Sequence, residues 1–129
     1  MIGFVMVGTN DLDKANTFYD ALLETIKLKR VGANERYLAY APKNNPKSIE
    51  FYVTIPFNKA EASFGNGTQI SFYVDSMEEV DAFYKIALSL GAKDEGVPGE
   101  RYEGEYYSYV RDLDGNKLCC YTFFKSVNK

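Results

Sequence analysis

The chain has 129 residues, a formal net charge of −3, 46% apolar and 26% charged side chains. That balance suits one folded domain with its own core, and excludes a disordered chain or a basic nucleic-acid binder. It carries 11 Tyr and 9 Phe but no His, so Ser-His-Asp and Cys-His catalysis, histidine-built metal sites and imidazole proton shuttles are excluded.

In chain order, a β-rich run over residues 4–9 comes first, without the basic start of a signal peptide. Asn10, Asp11 and Asp13 then signal a helix start. Leu12, Ala15, Phe18 and Leu22, spaced by three and four, predict the amphipathic helix itself. Strands are expected over 28–31, 36–41 and 48–54, followed by a polar, Gly-containing linker over 56–67. The same order then repeats. A strand is expected over 69–74, with Asp75, Ser76, Glu78 and Glu79 as helix-start signals. A helix through Met77, Val80, Phe83 and Ala87 ends at Gly91, a suitable C-terminal cap. Strands over 92–96, 105–111 and 117–123 complete the copy, the last two joined by the turn Asp112-Leu113-Asp114-Gly115-Asn116.

The repeat is visible in the residues. Shifted by 65 positions, FVMVGTNDLDKANTFYDALL aligns without a gap on QISFYVDSMEEVDAFYKIAL, with Phe18-Tyr19 on Phe83-Tyr84. Later, Ile49-Glu50-Phe51-Tyr52 resembles Leu118-Cys119-Cys120-Tyr121. The two cysteines, Cys119 and Cys120, are neighbours, and a bridge between adjacent residues closes a strained ring. A reduced, cytoplasmic setting is therefore expected. No stretch approaches the roughly 20 apolar residues of a membrane span.

Strand alternation separates two faces. Val5, Val7, Ile70, Phe72 and Val74, with Ile49, Phe51, Val53, Leu118, Cys120 and Thr122, should lie under the helices. The other parity carries Phe4, Met6, Glu50, Tyr52, Gln69, Ser71, Tyr73, Cys119, Tyr121 and Phe123. That mixture of polar and aromatic groups suits a curved sheet lining a ligand-sized cavity.

These features, with the segment GAKDEGVPGERYEGEYYSYVRDLDGNKL, resemble the vicinal oxygen chelate superfamily of glyoxalases, bleomycin-resistance proteins and extradiol dioxygenases. The resemblance spans essentially the whole chain. It implies an α+β fold of two tandem βαβββ modules, eight strands curled into a cup with helices outside. The chain would then be one domain, 1–129, with module one at 1–55, the linker at 56–67 and module two at 68–125. The resemblance also implies a homodimer.

The family places four metal-ligand positions inside the cup. Phe4 stands where the first module often has His, and Gln69, in Gly65-Asn66-Gly67-Thr68-Gln69, where the second has His. Cys119 stands where the second module has Glu, and Glu50 is the corresponding residue of the first. Phe4 offers no donor, Cys119 is a soft thiol, and no imidazole exists to help. No bound metal or other cofactor is therefore expected.

Two small-molecule activities remain open, beside a subunit-interaction module whose cup holds no small molecule. One is a metal-free binder of a small aromatic or amphipathic molecule. Phe4, Tyr52, Tyr73, Tyr107, Tyr109 and Tyr121 would stack on the ligand, with Gln69, Cys119 and Arg101 beside them. The other is a glyoxalase-like lyase or isomerase using Glu50, desolvated between Phe4 and Tyr52, as general base. Arg101 lies in a Pro- and Gly-rich loop expected over 97–104 near the cup mouth. It could clamp a ligand carboxylate or phosphate, or pair with the nearby Glu100, Glu103 or Glu105.

Overall fold

The computed structural model describes residues 1–124. The expected end of the second module at 125 and the domain's last residues lie outside them. Eight strands and two helices run in the order β1 (Val5–Gly8), α1 (Leu12–Glu24), β2 (Leu28–Ala33), β3 (Tyr37–Pro42), β4 (Phe51–Thr54), β5 (Ile70–Tyr73), α2 (Met77–Ser89), β6 (Lys93–Tyr102), β7 (Glu105–Arg111) and β8 (Lys117–Phe123). The fold is α+β, and the βαβββ repeat is observed as two open four-stranded sheets. Their strand orders are β1-β4-β3-β2 and β5-β8-β7-β6. In each, the first strand pairs parallel with the last and the remaining pairs are antiparallel.

Local chemistry sets the helix ends. Asp11 caps α1 by accepting from the Lys14 N–H at 3.0 Å. Ser76 caps α2 by accepting from Glu79 N–H at 3.2 Å, while the Glu79 carboxylate reaches back to Asp75 N–H at 3.1 Å. Gly91 follows α2 with φ of +102°, a left-handed conformation that glycine adopts without a Cβ clash.

One core runs through both modules. Phe18, Tyr19, Leu22 and Leu23 of α1, with Val80, Phe83 and Ala87 of α2, are buried against Val7, Phe51, Val53, Leu118 and Cys120 of the sheets. Each fully buried Leu or Phe there stabilises the fold by roughly 1.5–3 kcal/mol. Val5, Ile70 and Phe72 pack half-buried on the same core, so the parity expected from the sequence is observed. Phe51 and Phe72 meet edge to face across the modules at 5.5 Å.

A polar latch joins the copies at the β7–β8 turn. The Asp112 carboxylate accepts from the Tyr19 hydroxyl, from Asn116 Nδ2 at 2.9 Å, and from the Asp114 and Asn116 N–H groups at 2.9 Å. Asn116 Nδ2 also donates to the Gly8 carbonyl, and Asn10 N–H to the Asp114 carboxylate, both at 2.9 Å. Buried polar groups need such partners.

Two boundaries differ from expectation by more than two residues. Residues 48–50 are not in a strand: two successive turns precede them, closed by Asn45 N–H to Pro42 O and Ser48 N–H to Asn45 O at 3.0 Å, the second with Pro46 at its first central position. The expected loop over 97–104 is instead largely strand. β6 runs on to Tyr102, and its register with β7 shifts three times, twice at Gly96 and once before Tyr102. Bulges at glycines let a strand bend while keeping its pairing.

Candidate ligand-binding site

The helix-free face of the second sheet carries a stack of tyrosines. Tyr107 lies directly across from Tyr121, and Tyr109 across from Cys119, so the three tyrosines are nearest neighbours on one face. The Tyr107 and Tyr121 rings are 5.0 Å apart and nearly parallel, at 9°. Tyr107 and Tyr109 follow at 6.0 Å and 13°. Tyr73 meets Tyr121 edge-on at 5.5 Å, Tyr102 meets Tyr107 at 5.9 Å, and Phe123 lies 6.0 Å from Tyr73. Ser71 and Cys119, paired with each other, are the small residues of this face.

Two phenols of the stack, Tyr107 and Tyr109, are held neutral near neutral pH. Burial, then the hydrogen bond from the Tyr107 hydroxyl to Glu105 Oε1 at 2.8 Å, pushes the Tyr107 phenol well above its ordinary range. Burial pushes up Tyr109 as well.

Two cations flank the outer ring of the stack. The Arg101 guanidinium lies 5.9 Å from the Tyr109 centroid and the Lys117 ammonium 5.1 Å from it. Glycines shape this corner. A Cβ at Gly96 would stand 2.8 Å from the Tyr109 ring, and one at Gly99 would stand 2.7 Å from an Arg101 nitrogen. The acidic neighbours do not pair with Arg101. Glu100 accepts from the Gly104 N–H at 3.0 Å, and Glu105 takes the Tyr107 hydroxyl. Among the described residues the ion pairs are Arg30–Asp20, Lys43–Glu24 and Arg111–Glu95.

The first sheet presents a different face. Tyr52 is edge-on to Phe4 at 4.9 Å and to Tyr37 at 5.4 Å. Phe4, Met6, Tyr37 and Tyr52 wall a cavity of about 340 Å³, with Arg36 over the Phe57 ring at 5.4 Å. Between the modules lies a larger cavity of about 480 Å³, bounded by Lys27, Leu28, Pro42, Glu50, Ser71 and Tyr73. Tyr73 thus links that groove to the tyrosine stack.

The four family ligand positions do not converge as a donor set. Glu50 and Gln69 border one cavity of about 370 Å³. Gln69 Nε2 donates to Ser71 Oγ at 2.9 Å. Cys119 is fully buried, and burial pushes its thiol up to about 11, although Ser71 and Lys117 pull the other way. Phe4 is 54% exposed. Glu50 is exposed, not enclosed between Phe4 and Tyr52, because those two rings pack on each other. Among the described residues no three His, Cys, Asp or Glu side chains are grouped to hold an ion.

Sequence reasoning singled out Tyr73, Tyr107, Tyr109, Tyr121 and Arg101, and the structure brings them together with Cys119 on one face. Phe4 and Tyr52 sit on the other sheet. It did not single out Lys117, Tyr102, Arg36, Tyr37 or Phe57. Strand parity with Tyr109 and Cys119 signals Lys117. Phe57 left no periodic signal, because it belongs to the irregular segment after β4.

Comparison with known proteins places these features. The family model described as glyoxalase/bleomycin resistance protein/dioxygenase superfamily matches residues 1–120. A solved glyoxalase/bleomycin resistance protein from Albidiferax ferrireducens T118 is 37% identical, with 93% of this chain and 96% of that one covered and a TM-score of 0.84. A lactoylglutathione lyase from Agrobacterium tumefaciens shares the fold at 19% identity, with 95% and 92% covered and a TM-score of 0.68. No curated protein matches the sequence.

Proposed function

The chain belongs to the glyoxalase/bleomycin resistance protein/dioxygenase superfamily, and on that footing we propose that it is a metal-free binding protein for a small planar aromatic or amphipathic molecule. The parallel Tyr109–Tyr107–Tyr121 stack carries this reading. A planar ligand laid over the row of rings buries apolar surface against them and meets their edges in the edge-to-face geometry that aromatic pairs also prefer. The groove beside Tyr73 has the volume of a small-molecule site.

The family's metal positions do not fit a divalent ion. Phe4 offers no donor, and the Cys119 thiol is buried and held protonated. That leaves the Glu50 carboxylate and the neutral amide oxygen of Gln69, whose Nε2 donates to Ser71, and two oxygen donors with a single charge do not replace a transition metal's hydration shell. The alternative, a glyoxalase-like lyase or isomerase with Glu50 as base, has less support. A general base at neutral pH is usually tuned by burial, and Glu50 is exposed.

The exposed Phe4, Met6, Tyr73 and Phe123 on the open faces favour a homodimer, which light scattering tests. Two adjacent, buried free thiols favour a reducing, cytoplasmic setting. No helix among the described residues is long and apolar enough to cross a membrane. The two modules read as one domain, with 56–67 as the connection.

Native mass spectrometry and thermal shift against a panel of planar aromatic compounds, aromatic antibiotics included, test the binding reading. One-to-one complexes that raise Tm, and that fail to form in Tyr107→Ala/Tyr109→Ala, are expected. An absence of binders at high ligand concentration overturns it. Elemental analysis and a hemithioacetal isomerisation assay address the alternative. Stoichiometric nickel, zinc or cobalt, with activity lost in Glu50→Gln, would establish the enzyme instead.

A further inference from the structure

Resting on the reading of the tyrosine stack as a ligand face, we infer that the ligand is an aromatic anion, whose negatively charged group is taken by Arg101 and Lys117 at the Tyr109 end of the stack. The chain is net negative, yet two cations converge on one ring of the open face, 5.9 Å and 5.1 Å from the Tyr109 centroid. Neither belongs to an ion pair among the described residues. Of the three carboxylates near Arg101 in sequence, Glu100 accepts from the Gly104 N–H and Glu105 from the Tyr107 hydroxyl, and Glu103 forms no ion pair with it.

Unused donor capacity points the same way. Arg101 carries five N–H donors, and one is committed to the Val97 carbonyl. Lys117 carries three, and none has a partner among the described residues. The guanidinium is also held in place. It lies over backbone at Gly96 and Gly99, where a Cβ would meet its nitrogens at 3.3 Å and 2.7 Å, and its tether to Val97 fixes the fork. A planar, pre-oriented fork beside an ammonium suits a carboxylate or another planar oxyanion better than a neutral group. Stacking then sets where the ring goes and the cations set which end goes where.

Isothermal titration with 2-naphthoate and its neutral counterpart 2-naphthamide tests this. The natural chain is expected to bind naphthoate about ten-fold more tightly than naphthamide, the size of one charge-assisted hydrogen bond, with the ratio shrinking as salt rises. In Arg101→Gln/Lys117→Gln the ratio should fall towards one. Lys85→Gln, which removes one positive charge from exposed α2, should keep it. Equal affinities in the natural chain, or a preference that survives in Arg101→Gln/Lys117→Gln, overturn the inference while leaving the aromatic face standing. If neither probe binds, the ligand-face reading fails and this inference fails with it.

Discussion

The two sheets are built alike, yet their open faces are not. On the first sheet the residue across from Tyr52 is Ala39, with Ala41 two positions further along. On the second the residue across from Tyr121 is Tyr107, with Tyr109 two positions further along. The same ladder places therefore hold two alanines in one module and two tyrosines in the other. The helix-covered faces match far better: Phe18 and Phe83 are both fully buried, as are Ala15 and Val80. One strand parity carries the fold, which both copies keep. The other parity is free to diverge, and in the second module it has become an aromatic surface edged with cations.

The core equivalence should give the largest effects. Phe83→Ala and Phe18→Ala should each destabilise by about 3–5 kcal/mol, since both leave a cavity in the same shared core. Urea denaturation of the two variants measures this, and costs differing several-fold would break the symmetry of the cores.

The turns should behave oppositely. Asp112→Ala strips partners from the buried Tyr19 hydroxyl and Asn116 amide and should cost about 1–3 kcal/mol. Lys43→Ala, at the corresponding turn of module one, loses only an exposed pair with Glu24 and should cost about 0–1 kcal/mol. Chemical denaturation again separates them.

Binding sharpens the contrast on the open faces. Tyr107→Ala/Tyr109→Ala gives the second face the alanines of the first and should weaken an aromatic probe by about ten-fold or more. Tyr52→Ala on the first face should change it by less than about two-fold, within the spread of weak remote effects. Calorimetric titration of both variants with 2-naphthoate decides.

The smallest effect concerns pH. Burial raises the folded-state pKa of Cys119 to about 11. The native state therefore favours the neutral thiol. Its stabilising contribution is fully present below the unfolded thiol's pKa of about 8.5, and is lost as pH rises through 11. Buried Tyr19 and Tyr40 are raised too and act in the same direction. Tm should fall above about pH 9, and iodoacetamide at pH 8 should label the native thiols far more slowly than the unfolded ones.

The sequence made the fold legible because burial imposes periods. Leu12, Ala15, Phe18 and Leu22 could face a core only as a helix, and Phe51, Val53, Leu118 and Cys120 only as alternating strands. The 65-residue repeat then supplied the topology twice. The site was legible as a parity and not as an arrangement. Parity puts Tyr107, Tyr109 and Tyr121 on one side, but their stacking depends on the pairing of β7 with β8 across a tight turn. Arg101 reads as a loop residue because Val97-Pro98-Gly99 breaks strand propensity, whereas bulged pairing carries β6 past it. Glu50 reads as a candidate base because its neighbours in sequence space are aromatic, but Phe4 and Tyr52 satisfy each other and leave it in water.

The most direct test of the account is chemical-shift mapping of 2-naphthoate on the isotopically labelled protein. Shifts confined to Ser71, Tyr73, Arg101, Tyr107, Tyr109, Lys117, Cys119 and Tyr121 are predicted. Shifts centred instead on Phe4, Tyr37 and Tyr52, or none at probe concentrations approaching its solubility, would contradict it.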